Sequence, residues 1–219
     1  MLKMTEAGKQ KVFAEDLAMI QSDEIRNFTI QVMATFPEHF WIQPGSSTGL
    51  YHPACTLVKS GLLVHIKRVV FFGKKLIRAH GWNIPSDKAD RIISAMILHD
   101  GQKGGRGYGP YQNYENHPLL VQLRYYKSFS KNSEEVQIPP SEEEEWKVDI
   151  WQMIRFHMGP WSPKKAQKPL DKYSKNELIV YHADYLAAQK DLVTPVDYEI
   201  GNLELEYLET QDANFTMGE

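Results

Sequence analysis

The sequence predicts an all-α domain. Three observations carry that expectation. Apolar residues recur at helical spacing over most of the 219-residue chain, strand-like alternation is scarce, and Gly or Pro marks the ends of several apolar segments. The composition is that of an ordinary globular protein, with 42% hydrophobic and 24% charged residues in 25.3 kDa. A net charge of -3 argues against a generally basic nucleic-acid binder, although a local basic patch stays open. Cys55 is the single cysteine, so no intrachain disulfide forms, and a reducing cytoplasm is the expected location. The opening MLKMTEAGKQKVFAED lacks the apolar centre of a signal peptide. No apolar run approaches the roughly 18 residues of a membrane span, so no membrane partner is expected. The oligomeric state is left open.

In chain order, Thr5–Ile20 and Asp23–Thr35 read as two helices, ended by Pro37, Pro44 and Gly45. GLLVHIKRVVFFGKKLIRAH, residues 61–80, is an amphipathic helix. Its stripe holds His65, Val69, Phe72 and Leu76, with Lys67, Lys74, Lys75 and Arg78 elsewhere on the wheel. Gly81 suits its end, and Ser86 suits the cap of the next helix, Asp87–Asp100. A Gly-rich loop follows to His117, and Pro118 fits the first turn of PLLVQLRYYKSF. Ser141 and Glu144 have capping-box spacing ahead of a helix carrying Ile150, Met153, Ile154 and His157, which Gly159 and Pro160 stop. Ser174 opens the last helix, KNELIVYHADYLAAQK. Beyond Lys190 there is no Lys or Arg, and the acidic remainder reads as a peripheral, partly extended tail packed through Leu203, Leu205 and Leu208. The expected organisation is an N-terminal helical extension over 1–35, a main domain over 36–192 and an acidic tail over 193–219.

The informative residues are the eight histidines, at 39, 52, 65, 80, 99, 117, 157 and 182. A lone histidine on an apolar face is an ordinary hydrogen-bonded core residue. Here His65, His99 and His157 all fall on core-facing stripes of successive helices, and each buried imidazole must satisfy its ring nitrogens. A shared cation meets that need for all of them at once. Asp100 and Asp184 are the acids embedded in otherwise apolar helical segments, and a divalent ion is a natural partner for them. His99 and Asp100 are adjacent, and neighbours on a helix diverge by about 100°. At a helix end followed by Gly101 the backbone can turn and let both approach one ion. In YHADYLAA, residues 182 and 184 lie nearly opposite on the helix. Asp184 shares its side with Val180, Ala187 and Ala188, which leave room for a cluster, so Asp184 is the expected ligand and His182 an outer or core residue. His39 and His80 sit near element ends, where exposure is the expectation. Trp161 and Tyr181 are read as core aromatics ahead of a base-stacking pair.

His65, then His99–Asp100, then the distant Asp184 resembles the H…HD…D signature of the HD-domain superfamily of metal-dependent phosphohydrolases. His117 and His157 match two further histidines of its two-metal members. PGSSTGLYHPACTLVKSGLLVHIKRVV and IRFHMGPW are similar to HD proteins of phages and bacteria, and the likeness, spanning about Phe36 to Leu192, extends to exoribonuclease-type HD proteins. One departure is HDGQK, where many relatives have an apolar residue and then glycine before the lysine. The resemblance implies an HD-domain helical bundle with a first ion on His65, His99, Asp100 and Asp184. Asp100 would bridge to a second ion on His117 and His157. Such N/O ligands suit Mn²⁺, Fe²⁺ or a similar divalent ion. The implied reaction is attack of metal-activated water on a phosphoester of a nucleotide, cyclic nucleotide or nucleic acid. Asp100 and Lys103 are the expected catalytic residues, and Lys67, Lys103, Arg106 and His52 the expected substrate contacts. The resemblance also admits a mixed-valent di-iron oxygenase. A third, non-enzymatic reading makes the metal a structural staple in an interaction module.

Overall fold

The computed structural model describes residues 2–46, 49–104, 116–129, 144–164, 167–197 and 207–209. The helices are α1 (Glu6–Val12), α2 (Ala14–Ala18), α3 (Asp23–Met33), α4 (Gly61–Ala79), α5 (Asp87–Leu98), α6 (His117–Phe129), α7 (Glu145–Phe156) and α8 (Lys175–Ala187). A short antiparallel pair, β1 (Leu2–Met4) with β2 (Tyr207–Glu209), sets Leu2 opposite Glu209 and Met4 opposite Tyr207. The protein is an all-α bundle with this small clasp. Among the described residues no helix is long and apolar enough to cross a membrane.

The middle of the bundle is α4, packed on α5 and α8, while α5 also packs on α3 and α7. From Gly61 to Val70 every residue of α4 is buried, so the amphipathic reading of this helix describes only its second half. Its polar side is covered by other parts of the chain. Lys67 meets Asp16 of α2 at 3.1 Å, and Arg68 meets Asp197 near the far end of the described chain. Gly73 is what lets α5 approach: a Cβ there would lie 2.0 Å from the sulfur of Met96.

The segment 5–20 is two helices, not one. The break falls at Phe13, which is fully buried and packs at 6.4 Å from the Trp41 ring. Burying such a side chain stabilises by about 1.5–3 kcal/mol, more than a continuous helix would regain through the bonds lost at one break. Val12, Phe13, Ile20, Ile25 and Phe28 share one hydrophobic cluster with the residues of α4, α5, α7 and α8.

Helix ends follow local chemistry. Ser22 and Ser86 cap α3 and α5 through bonds from the Ile25 and Ala89 amides, and Ser174 with Glu177 forms a full capping box on α8. Gly81, at φ 77, ends α4. Glu144 precedes α7 without a side-chain cap bond, and the expected cap Ser141 lies outside the described residues. The segment read as a peripheral tail begins firmly docked. Thr194 and Val196 are buried and Asp197 is tied to both Arg68 and Thr194. Leu203 and Leu205 lie outside the described residues.

Candidate metal centre

Two helices end in the same way. His99 is the C-cap of α5 and His157 the C-cap of α7. In each, the ring Nδ1 turns back 2.7 Å from the carbonyl three residues earlier, Met96 and Ile154 respectively. The final carbonyls of a helix are short of intrahelical donors, so this bond adds a donor there, at Ile154 beside the long bond from the His157 amide, and fixes the ring. An Nδ1–H donating to a carbonyl leaves Nε2 as a bare lone pair, the tautomer a metal requires. Beyond His99 the chain tightens, with the Gly101 amide bonded to the Leu98 carbonyl and the Lys103 amide to that of Asp100. The Asp100 carboxylate thereby comes within 3.4 Å of His99 Nε2. Adjacent residues that would diverge on a continuing helix converge at this end.

Asp100 is buried and its two oxygens face two groups of ligands. Oδ2 lies 3.5 Å from His65 Nε2 and 3.4 Å from His99 Nε2. Oδ1 lies 2.9 Å from His117 Nε2 and 3.6 Å from His157 Nε2. Asp184 closes the first group, 3.0 Å from His65 Nε2 and 3.8 Å from His99 Nε2. In the second, the Nε2 atoms of His117 and His157 stand 3.2 Å apart. His65, His99 and Asp184 offer ligand atoms within 4.8 Å of one another, as do His99, Asp100 and His157.

These residues fit a metal. Ligand atoms about 2.0–2.2 Å from one ion lie roughly 3.0–3.5 Å apart in octahedral or tetrahedral geometry, and the separations here, from 2.9 Å to 3.8 Å, bracket that range. The hydrogen bonding agrees. Both ring nitrogens of His65 and Nε2 of His99 are buried without a hydrogen-bond partner, although carboxylate oxygens stand close by. His65 Nε2 lies 3.0 Å from Asp184 Oδ1 without making a hydrogen bond to it. An all-N/O donor set favours borderline divalent ions.

Electrostatics follow from this crowding. Burial pushes the Asp100 carboxyl upward, yet Lys103, His99, His117 and His157 together hold it well below its ordinary range. Asp184 is likewise lowered against burial by His65, His99 and His157. Burial holds the His65 and His117 imidazoles down, toward the neutral ligand form. His99 moves up because Asp100 and Asp184 outweigh its burial. The Lys103 ammonium sits 2.6 Å from Asp100 Oδ2.

The centre opens into a cleft of about 670 Å³ lined by Asp100, Lys103, His117, His157 and Asp184, and by His52, Tyr51, Trp161, Tyr181 and Tyr185. The His52 ring packs 5.5 Å from that of His65, and its pKa is pushed down to about 3 by burial and by the neighbouring His65 and Lys103.

Of the expected substrate contacts, His52 and Lys103 reach the cleft. Lys67 does not: its side chain is buried in the ion pair with Asp16, because α2 covers that side of α4. Arg106 lies outside the described residues. His182 is exposed against the Tyr181 ring, not a core residue. His39 is half-buried, and a Cβ on Gly104 would lie 2.4 Å from its Nε2, so it packs under the loop after the HD pair instead of standing in solvent. Trp161 is 63% exposed, so its expected core packing gives way to a place on the cleft wall, whereas Tyr181 is buried. Tyr185 and Tyr51 were not anticipated. The only sequence signal for Tyr185 was its place beside Asp184.

No curated protein and no solved structure matches the chain. A family model described as HD domain matches residues 62–189, over half of the chain, and this span contains all six His and Asp residues of the cluster. The chain thus belongs to the HD domain family, whose members are in general metal-dependent phosphohydrolases.

Proposed function

We propose that the protein hydrolyses a phosphoester of a nucleotide or nucleic acid at a centre of two divalent ions, Mn²⁺ or Fe²⁺ by ligand type. The observation that carries this reading is the split role of Asp100. One oxygen faces His65 and His99 and the other faces His117 and His157, an arrangement a single structural ion does not need. Ions held there supply a water acidified to near neutral pH and neutralise charge on the phosphoryl oxygens.

The protein's own groups do the rest. Lys103 fixes a positive charge at the inner edge of the cleft, where a phosphoryl oxygen would enter. His52 stays uncharged and can accept or donate one hydrogen bond to substrate without adding a repelling cation beside the ligands. The C-cap bonds of His99 and His157 keep both rings aimed while the cleft exchanges substrate for product. Arg106 remains a proposed phosphate contact.

The test is metal analysis of the purified protein joined to a phosphate-release screen over nucleotides, cyclic dinucleotides and single-stranded RNA and DNA. We expect close to two ions per chain and EDTA-sensitive turnover with Mn²⁺ or Fe²⁺. Inactivity across the whole panel with both metals supplied, together with O₂ consumption by the iron form, would replace hydrolysis with oxygenase chemistry.

A further inference from the structure

We infer that Trp161 and Tyr185 form a stacking platform for an unpaired nucleobase, which makes the substrate a mononucleotide or a single-stranded nucleic acid end. This rests on the phosphoester reading above and adds the recognition of the group the phosphate is attached to.

Three large aromatic side chains of the cleft stand open to solvent, Tyr51 at 72%, Trp161 at 63% and Tyr185 at 45% exposure, and the last two face each other. Their planes are 13° apart with centroids at 6.0 Å, an offset parallel arrangement, and both line the cleft. Exposed single aromatics are common, but two parallel rings bordering a polar centre are a ready π-surface. The platform is also built into the backbone. Gly159, at φ 57, reverses the chain just after α7, and a Cβ there would lie 2.3 Å from the Tyr181 ring. The turn Gly159–Trp161 is therefore seated on buried Tyr181, which in turn packs 6.4 Å from Tyr185. Trp161 follows the ligand His157 by one tight turn, and Tyr185 follows the ligand Asp184 directly. The platform and two members of the cluster, His157 and Asp184, are therefore positioned by the same two segments.

The chemistry selects among occupants. A flat aromatic face stacks with the π-face of any nucleobase, and the comparison with the base-free sugar phosphate isolates that gain. The charged end of the cleft, with Lys103 and the ligand cluster, takes the phosphate of the same molecule. The cleft volume of about 670 Å³ lies within the range of sites for one small ligand, on the order of 300–1,000 Å³.

The test separates base recognition from turnover. Binding of AMP and of ribose 5-phosphate is measured by calorimetry in EDTA, which stops hydrolysis. A parallel pair compares a short single-stranded oligoadenylate with an abasic strand of equal length. Stacking on an aromatic side chain predicts that the base tightens binding about ten- to hundredfold in at least one pair. Trp161→Ala should abolish that difference and Trp161→Phe should retain most of it, with unchanged circular dichroism in both. A difference in the oligonucleotide pair alone identifies the source as a strand end. Equal affinities within both pairs, or an equal gain with phenyl phosphate, overturn the platform even if phosphate release is robust. Base-dependent binding without phosphate release under any metal overturns the reaction and leaves the platform standing.

Discussion

His65 and Arg68 lie less than a turn apart on α4, both fully enclosed, and the protein treats them in opposite ways. The Arg68 guanidinium is completely answered. It donates to the carbonyls of Ala187 at 2.9 Å, Leu192 at 2.8 Å and Gln189 at 3.2 Å, to Thr194 Oγ1 at 3.4 Å and to the Asp197 carboxylate. His65 is left with both ring nitrogens unanswered. An unsatisfied buried polar atom costs about 1–3 kcal/mol, so the contrast is large on the scale of a domain's stability. The fold can satisfy a buried cation on this helix when holding the chain together is the task. The ring nitrogens of His65 are left for a partner from outside the chain, which a cation at the proposed centre would supply. Arg68 also anchors the end of α8, three residues past Asp184, so the satisfied network steadies the unsatisfied one.

Substitutions break or sharpen the contrast. The largest effect is expected at Asp100, which serves both ligand groups. Asp100→Asn should lower phosphate release by about a thousandfold or more and reduce bound metal, with near-native circular dichroism. Loss of the fold with no measurable turnover in the parent would instead mark the ion as a structural staple. Next is Arg68→Ala, which strips the cation from Asp197 and from the carbonyls after α8. Removing one partner of a buried pair costs about 3–5 kcal/mol, readable as a fall in the urea midpoint. A fall under a quarter of that range would mean water replaces the guanidinium. Gly159→Ala forces a side chain into the left-handed backbone and into Tyr181, at a cost of about 1–3 kcal/mol in the same measurement.

His65→Leu should move stability the other way. Without metal it removes two unsatisfied nitrogens and should raise stability by about 1–2 kcal/mol in EDTA, while erasing any rise in Tm on adding Mn²⁺. Destabilisation in EDTA would show that His65 already holds structural bonds.

The smallest effect is pH-dependent. Burial raises the Asp197 carboxyl, but the Thr194 amide and hydroxyl and the Arg68 cation outweigh it and leave the group below its ordinary value. A carboxyl lowered by folding stabilises above its unfolded pKa of about 3.9, and that contribution fades as pH falls through the lower folded value. Denaturation from pH 6 down to pH 2 should therefore show a shallower loss for Asp197→Asn than for the parent. Parallel curves would refute the linkage.

Much of this was legible in the residues, and the exceptions share a cause. Helix ends marked by Ser86, Gly81 and Ser174 depend on local chemistry and were read correctly. The convergence of His65, His99, His157 and Asp184 follows from helical direction, a property that periodicity reveals. Lys67 turns to Asp16 and not to the cleft; periodicity reports one face of a helix, and nothing in 61–80 announces that Asp16 will cover the other. Asp90 shows the same limit. It is buried inside α5 yet accepts a bond from the Ser22 amide at 2.8 Å, a structural task that looks no different in sequence from that of Asp184. Trp161 could not be assigned to the cleft wall because its exposure depends on how Gly159 seats the turn on Tyr181, a contact between residues 22 positions apart.

The glycine after the HD pair carries one more consequence. A Cβ on Gly101 would lie 2.1 Å from the Phe36 ring, so the space beneath the ligand turn is already filled by an aromatic from a distant part of the chain. The volume that an apolar side chain at this position would occupy is filled by Phe36 of the same polypeptide. Gly101 and Phe36 therefore form a size-matched pair: enlarging the first is tolerable only when the second shrinks, and an exchange of bulk between them is the route by which this turn could accept a side chain while Asp100 keeps its aim.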